Sequence, residues 1–163
     1  MPSKMLVVNA ERCTGCRLCE VVCSVKHTGV SNPTRARIRI VKWEREGFYL
    51  PIKCQHCEDA PCLAICPRGA LFRDPELNTV RINRDLCIGC KMCVMACPFG
   101  AMGFDAEARK VFKCDLCHGD PQCVRFCYVK AVDYVEATKI SYPKLREAAL
   151  RYKAAARGEG KPR

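Results

Sequence analysis

Residues 87–98 read CIGCKMCVMACP, four cysteines within eleven positions followed by a proline. The spacing, Cys87-x2-Cys90-x2-Cys93-x3-Cys97-Pro98, is that of bacterial iron–sulfur ligation, in which three thiolates take one cluster and the fourth serves another. Thiolates at i, i+3 and i+6 can wrap three corners of a cluster while loop N–H groups face its sulfides. The x3 step then carries the fourth sulfur away on a turn of helix. Such a run calls for partners, and the chain has three more: Cys13-x2-Cys16-x2-Cys19-x3-Cys23, Cys54-x2-Cys57-x4-Cys62-x3-Cys66-Pro67 and Cys114-x2-Cys117-x5-Cys123-x3-Cys127. This internal repeat uses all 16 cysteines of the 163 residues. Gly15 and Gly89 precede the second cysteine of runs one and three, where a missing Cβ permits positive φ or a close backbone approach. Runs two and four lack that glycine and have extra residues before the third cysteine, so their loops are expected to differ.

Other uses of cysteine fit less well. Structural zinc at four thiolates per ion could consume all sixteen, but zinc ribbons separate their CxxC halves by a dozen or more residues. Disulfides suit an oxidising compartment. The start MPSKMLVVNAERC has neither the apolar h-region nor the cleavage site of a secretory signal, and no apolar stretch approaches the roughly 18 residues of a bilayer span. The expectation is a cytoplasmic protein in which cysteine clusters mean metal.

Composition points the same way. The hydrophobic share of 49% counts the cysteines, and without them it falls to roughly 39%, below the usual apolar share. A core so thin needs something non-protein at its centre, whose binding would supply folding free energy. The formal charge of +11 would on its face suggest nucleic acid. An oxidised cubane with four thiolates, however, carries about −2, so four of them would bring the total to roughly +3. Aromatic residues are also too few to form a base-stacking platform.

The elements that must position these runs are short. Strands are expected at 5–8, 37–41, 48–52, 70–72, 79–82, 101–104, 110–112 and 131–135, from alternation and β-branched content. RDPELN (73–78) and DAEARK (105–110) read as hairpin connections, and each run should end in a short helix. HTGVSNPT (27–34) is a turn-rich link into an inserted hairpin. From Ser141 the pattern changes to a basic helix followed by a Gly-rich end, with Leu145, Ala149, Tyr152 and Ala156 on one face. That divides the chain into a 1–140 cluster-binding domain and a 141–163 C-terminal helix or tail. The helix would pack on its own body or dock on another subunit.

Over residues 5 to about 135 the chain resembles the four-cluster ferredoxin-like electron-transfer subunits of molybdenum- and tungsten-pterin oxidoreductases. CQHCEDAPCLAICP and KCDLCHGDPQCVRFC look most like the small subunits serving tungsten aldehyde oxidoreductases. The resemblance implies an α+β fold of two pseudo-symmetric ferredoxin-like modules around four 4Fe-4S clusters. It also implies crossed ligation. Cys13, Cys16, Cys19 and Cys127 would hold one cluster, and Cys114, Cys117, Cys123 and Cys23 its neighbour. In the inner pair, Cys54, Cys57, Cys62 and Cys97 would hold one and Cys87, Cys90, Cys93 and Cys66 the other. Tyr128 after Cys127 and Ser24 after Cys23 depart from the proline of many such proteins, which bears on the local geometry of the outer pair.

With every thiolate used as a ligand, no iron keeps an open position, and no Gly-rich nucleotide loop is present. The expectation is therefore a non-catalytic relay, and the resemblance implies that it runs between a pterin-dependent catalytic subunit and a ferredoxin or a flavin/NAD-linked partner. A free-standing polyferredoxin and a basic zinc protein binding nucleic acid are the alternatives. Arg17 and Lys91 sit at matching positions, either raising a local potential or simply solvated. No histidine ligand is expected from His27, His56 or His118. Arg35, Arg37 and Arg39 alternate and in a strand would share a face, solvated or docking an acidic partner. A line of clusters with distinct ends could also stack head-to-tail.

Overall fold

A computed structural model describes residues 4–139; the C-terminal helix expected from Ser141 lies outside the described residues. Among the described residues the fold is a small mixed α/β one, with four two-stranded antiparallel sheets and four α-helices. All eight expected strands form: β1 (Lys4–Val8), β2 (Ile38–Trp43), β3 (Phe48–Lys53), β4 (Leu71–Asp74), β5 (Thr79–Ile82), β6 (Met102–Asp105), β7 (Lys110–Lys113) and β8 (Val132–Glu136). They pair β1 with β8, β2 with β3, β4 with β5 and β6 with β7. The first pairing closes the chain on itself, with Leu6 opposite Tyr134 and Val8 opposite Val132.

The hairpin connections at 73–78 and 105–110 share a device. The Oδ1 of Asp74 accepts from the N–H groups of Glu76 and Leu77, and that of Asp105 from those of Glu107 and Ala108. An Asp whose side chain mimics a backbone turn is what made these stretches readable.

Helices α2 (Pro61–Ala64), α3 (Met92–Met95) and α4 (Gln122–Arg125) are single turns, while α1 (Leu18–Thr28) runs for 11 residues. The difference follows from what succeeds the last cysteine. Pro67 and Pro98 bar a further turn after Cys66 and Cys97, whereas Ser24 lets α1 continue through His27 and Thr28, the first two residues of the expected linker. Ser24 is fully buried; its Oγ donates to Val21 O at 2.8 Å and accepts from Asn32 N–H at 3.0 Å, tying down the loop beyond the helix.

Run four also lacks the proline yet turns as runs two and three do. The N–H groups of Gly69, Gly100 and Lys130 donate to the carbonyls of Cys66, Cys97 and Cys127 at 3.2, 3.2 and 3.1 Å. All three residues are left-handed, at φ 57°, 57° and 53°. Lysine pays a Cβ penalty there that glycine does not. Lys130→Gly is expected to stabilise the protein by about 0.5–1 kcal/mol, read as a rise in the anaerobic thermal midpoint.

Two small cores organise these parts. Leu6, Ile38, Leu116 and Val132 pack with Cys23, Cys54, Cys114 and Cys123 in one; Ala70, Leu71, Val80, Met102 and Val111 pack with Cys87 and Cys93 in the other. Cysteine thus occupies positions that an ordinary domain gives to large apolar side chains. No helix among the described residues is long and apolar enough to cross a membrane.

Candidate metal centres

In each of the four CxxC loops the residue before the second cysteine is left-handed: Gly15 (φ 68°), His56 (φ 51°), Gly89 (φ 71°) and Leu116 (φ 56°). The four loops therefore share one backbone step at this position, and the expected difference comes after it: Arg17 and Lys91 follow the second cysteine at positive φ, Glu58 does not, and in run four Cys117 as well as His118 is left-handed. At the shared position, what differs is the room on the outside of the loop. A Cβ on Gly15 would lie 2.6 Å from the Tyr49 ring of β3, and one on Gly89 only 2.2 Å from the Arg109 carbonyl. Glycine is required where another segment presses on the loop. His56 and Leu116 bear the left-handed strain instead.

The loops and the helices after them gather cysteines from different runs. One cavity is lined by Cys13, Cys16, Cys19 and Cys127. A second is lined by Cys54, Cys57, Cys62 and Cys97. A third is lined by Cys66, Cys87, Cys90 and Cys93. Cys23, Cys114, Cys117 and Cys123 are neighbours as well. Burial pushes the Cys123 thiol up, and Cys114, Cys23, Cys117 and Cys19 beside it add to the shift.

Backbone N–H groups point at several of these sulfurs. They come from Arg37 to Cys23 at 3.2 Å, Ala70 to Cys66 at 3.3 Å, Ala131 to Cys127 at 3.2 Å and His56 to Cys54 at 3.4 Å. At Cys66 the burial that would raise the pKa is outweighed by the surrounding N–H groups, and the pKa falls. Elsewhere burial dominates: the thiols of Cys19 and Cys114 are pushed up to about 12 and that of Cys93 to about 11, with neighbouring cysteines adding to each. Around Cys23, Cys114, Cys117 and Cys123 burial raises all four thiols, and they cannot all ionise unless a concentrated positive charge stands between them. A cubane iron core would meet that need.

His56 gives a further test of fit. Its Nδ1 accepts the Val80 N–H at 3.1 Å, so the ring proton belongs on Nε2. That atom is buried with no partner among the described residues, and the ring lines the cavity of Cys54, Cys57, Cys62 and Cys97. A buried orphan N–H costs about 1–3 kcal/mol, a cost that a sulfur acceptor in the cavity would remove. The donor set and the orphan atom both fit a 4Fe-4S cluster.

The remaining charged candidates are mostly engaged within the chain. Arg17 donates to Glu20 Oε2 at 2.6 Å, and Lys91 Nζ stands 4.1 Å from the centre of the Phe104 ring. Both are left-handed residues at the start of α1 and α3, and both line the cavity of their own run. Glu20, which no sequence signal singled out, is 2% exposed; its Oε1 accepts the Ile40 N–H at 2.7 Å and so fastens β2 over the first loop.

Arg35, Arg37 and Arg39 do not form a strand face. Arg35 lies in a 3-10 turn (Pro33–Arg35), and β2 begins only at Ile38. Arg35 pairs with Asp105 and Glu107, Arg37 with Asp115 at 2.5 Å, and Arg39 with the Thr34 carbonyl. The chain's own acids and carbonyls hold them. His27 Nε2 lies 3.6 Å from Cys117 Sγ and 3.5 Å from Asp115 Oδ1, and burial, with Arg37 nearby, lowers its pKa to about 4. It is a neutral neighbour of the thiol.

Comparison with known proteins decides the family. The model of the 4Fe-4S dicluster domain matches residues 45–137, and that of a 4Fe-4S binding domain matches 10–26. The chain belongs to the 4Fe-4S dicluster family. Among relatives of this dicluster protein, the polyferredoxin-like subunit of aliphatic sulfonate oxidoreductase from Pyrococcus furiosus is 37% identical over 137 residues, covering 84% of this chain and 79% of that one. Formate hydrogenlyase subunit 2 from Escherichia coli is 32% identical over 187 residues, covering 92% and 90%. A chain of the active-site complex BamBC of benzoyl coenzyme A reductase, solved with 1,5-dienoyl-CoA, superposes with a TM-score of 0.50 at 27% identity, covering 82% of this chain and 75% of that one. The dicluster protein is an iron–sulfur protein of the electron-transfer type.

Proposed function

We propose that this protein relays single electrons through four 4Fe-4S clusters, between a tungsten- or molybdenum-pterin catalytic subunit and a ferredoxin or flavin/NAD-linked partner. The observation that carries this reading is the set of three cavities, each lined by three cysteines of one run and one of another. On it, Cys13, Cys16, Cys19 and Cys127 hold the first cluster, Cys114, Cys117, Cys123 and Cys23 the second, Cys54, Cys57, Cys62 and Cys97 the third, and Cys87, Cys90, Cys93 and Cys66 the fourth. The bound clusters supply one-electron redox chemistry, and the protein sets their order, insulation and potential.

The order follows from neighbouring thiols. Cys123 lies near Cys19, and Cys114 near Cys54. Cys62, Cys66, Cys87, Cys93 and Cys97 then share one core. That gives a line from the first cluster to the fourth through two modules related by pseudo-symmetry. Each end of the line has an exposed cysteine, Cys16 and Cys90, while Cys23, Cys54, Cys114 and Cys123 in the middle are buried. Around Cys90, the side chains of Leu86, Ile88, Met92 and Met95 are exposed, an apolar collar suited to a docking partner. Electrons pass between a partner docked at one end of the line and a partner docked at the other.

A pterin-dependent catalytic partner is supported by the resemblance of the second and fourth runs to small subunits of tungsten aldehyde oxidoreductases. That the relative from P. furiosus is named as a subunit of an oxidoreductase supports a stable complex over free diffusion. The test is anaerobic determination of iron and acid-labile sulfide per chain, with the iron of copurifying subunits counted separately. About sixteen of each is the expected result. Zinc without sulfide would overturn the reading.

A further inference from the structure

Of the three cavities described above, that of Cys54, Cys57, Cys62 and Cys97 has a histidine in its wall, and at the fourth cysteine site His27 Nε2 lies 3.6 Å from Cys117 Sγ. His56 is held in that wall by its Nδ1 bond to Val80 N–H at 3.1 Å, which leaves Nε2–H buried and without a partner among the described residues. With Nδ1 taken by the Val80 N–H, the ring carries its proton on Nε2. It therefore has one proton to donate and no acceptor but what the cavity holds.

Two buried lysines stand beside it. Lys53 and Lys113 are 4% and 3% exposed, and each immediately precedes the first cysteine of its run. Lys53 Nζ donates to Gln55 Oε1 at 2.8 Å and lies near the thiols of Cys114, Cys54, Cys123 and Cys57. Lys113 Nζ donates to the carbonyls of Cys114, at 3.0 Å, and Val80, and lines the same cavity as His56. Neither lysine has an acidic partner among these bonds. Charge of this sign, fixed in a medium of low dielectric, favours the more negative member of a redox pair.

We propose that His56 donates its Nε2–H to a sulfur of the cluster held in this cavity, and that this bond, with Lys53 and Lys113, makes that cluster the first of the four to accept an electron. The proposal rests on the iron–sulfur reading above. One electron from a low-potential reductant, dithionite in the assay, takes the cluster with its four thiolates from about −2 to about −3. No proton moves; the hydrogen bond and the two positive charges stabilise the added electron. His56 is a positioning residue for potential, not a ligand.

The experiment uses the holoprotein labelled with 15N-histidine and reduced by one electron. Hyperfine spectroscopy of the first reduced species is expected to show a 15N coupling. The coupling persists in the His27→Gln/His118→Gln double variant, which leaves His56 as the sole histidine. It vanishes in His56→Phe, where the first reduction becomes about tenfold less favourable, a downward shift of ~59 mV. A first reduced species without 15N coupling, a coupling lost in the double variant, or an unchanged first midpoint in His56→Phe would each overturn the proposal. Should His56→Phe fail to take up its full iron, the labelled native protein and the double variant decide alone. Native protein without sulfide sinks the iron–sulfur reading itself, whereas full iron and sulfide without histidine coupling sinks only this inference.

Discussion

Cys97→Ala is expected to lower the iron of the anaerobically purified protein from about sixteen to about twelve per chain and to stop electron flow from the catalytic partner to the acceptor. On the relay reading, substrate should still reduce the catalytic centre, because the bond chemistry would lie in the other subunit. The physical reason is that Cys97, at the end of α3's run, shares its cavity with Cys54, Cys57 and Cys62 rather than with the cysteines beside it in sequence. Double variants separate the two possibilities by their non-additivity. Cys97→Ala with Cys54→Ala removes one site twice and should cost about four irons, whereas Cys97→Ala with Cys87→Ala removes two sites and should cost about eight. The reverse pattern, about eight irons lost with Cys54→Ala and about four with Cys87→Ala, would mean that Cys97 serves its own run, and full turnover with the single variant would end the relay model.

Gly89→Ala should be the most damaging substitution outside the cysteines. At φ 71° a side chain already costs about 1–2 kcal/mol. Here the added Cβ would also lie 2.2 Å from the Arg109 carbonyl, a backbone atom at the turn between β6 and β7 that cannot swing aside. A combined loss of about 3 kcal/mol or more is expected, with iron lost from the cavity of Cys87, Cys90 and Cys93. Gly69→Ala is the control. It too is left-handed, at φ 57°, but a Cβ there meets nothing within 4 Å, so only the conformational cost of about 1–2 kcal/mol remains. Gly15→Ala should fall between them, because what it meets is the Tyr49 ring, a side chain with some freedom to move. Anaerobic thermal midpoints of the three variants measure the series; equal shifts at Gly69 and Gly89 would refute the steric argument.

The sequence carried the local structure because local chemistry decides it. Alternating β-branched runs gave all eight strands, Asp74 and Asp105 marked their turns, and Pro67 and Pro98 marked where helices stop. Spacing alone showed that the cysteines come in groups of four, and Gly15 and Gly89 announced left-handed positions with a neighbour pressing close. Other features needed the fold. The left-handed His56 and Leu116 were invisible because no glycine flags a strain that tertiary contacts impose. Glu20 reads as an ordinary helix-surface residue until β2 covers it, and Arg35 and Arg37 read as a basic stripe until Asp105, Glu107 and Asp115 arrive from segments far along the chain. The same holds for Lys53, Lys113 and His56 Nε2, which has no partner among the described residues: their burial is a property of the place where chain segments meet. By itself the sequence determined which atoms could bind metal and where the strands and hairpin turns lie, since those depend on residues close together in the chain. Which run supplies the fourth thiol to a cavity, and which charges are sealed in beside it, only the tertiary structure decided, because both depend on distances between residues that the chain's order leaves free.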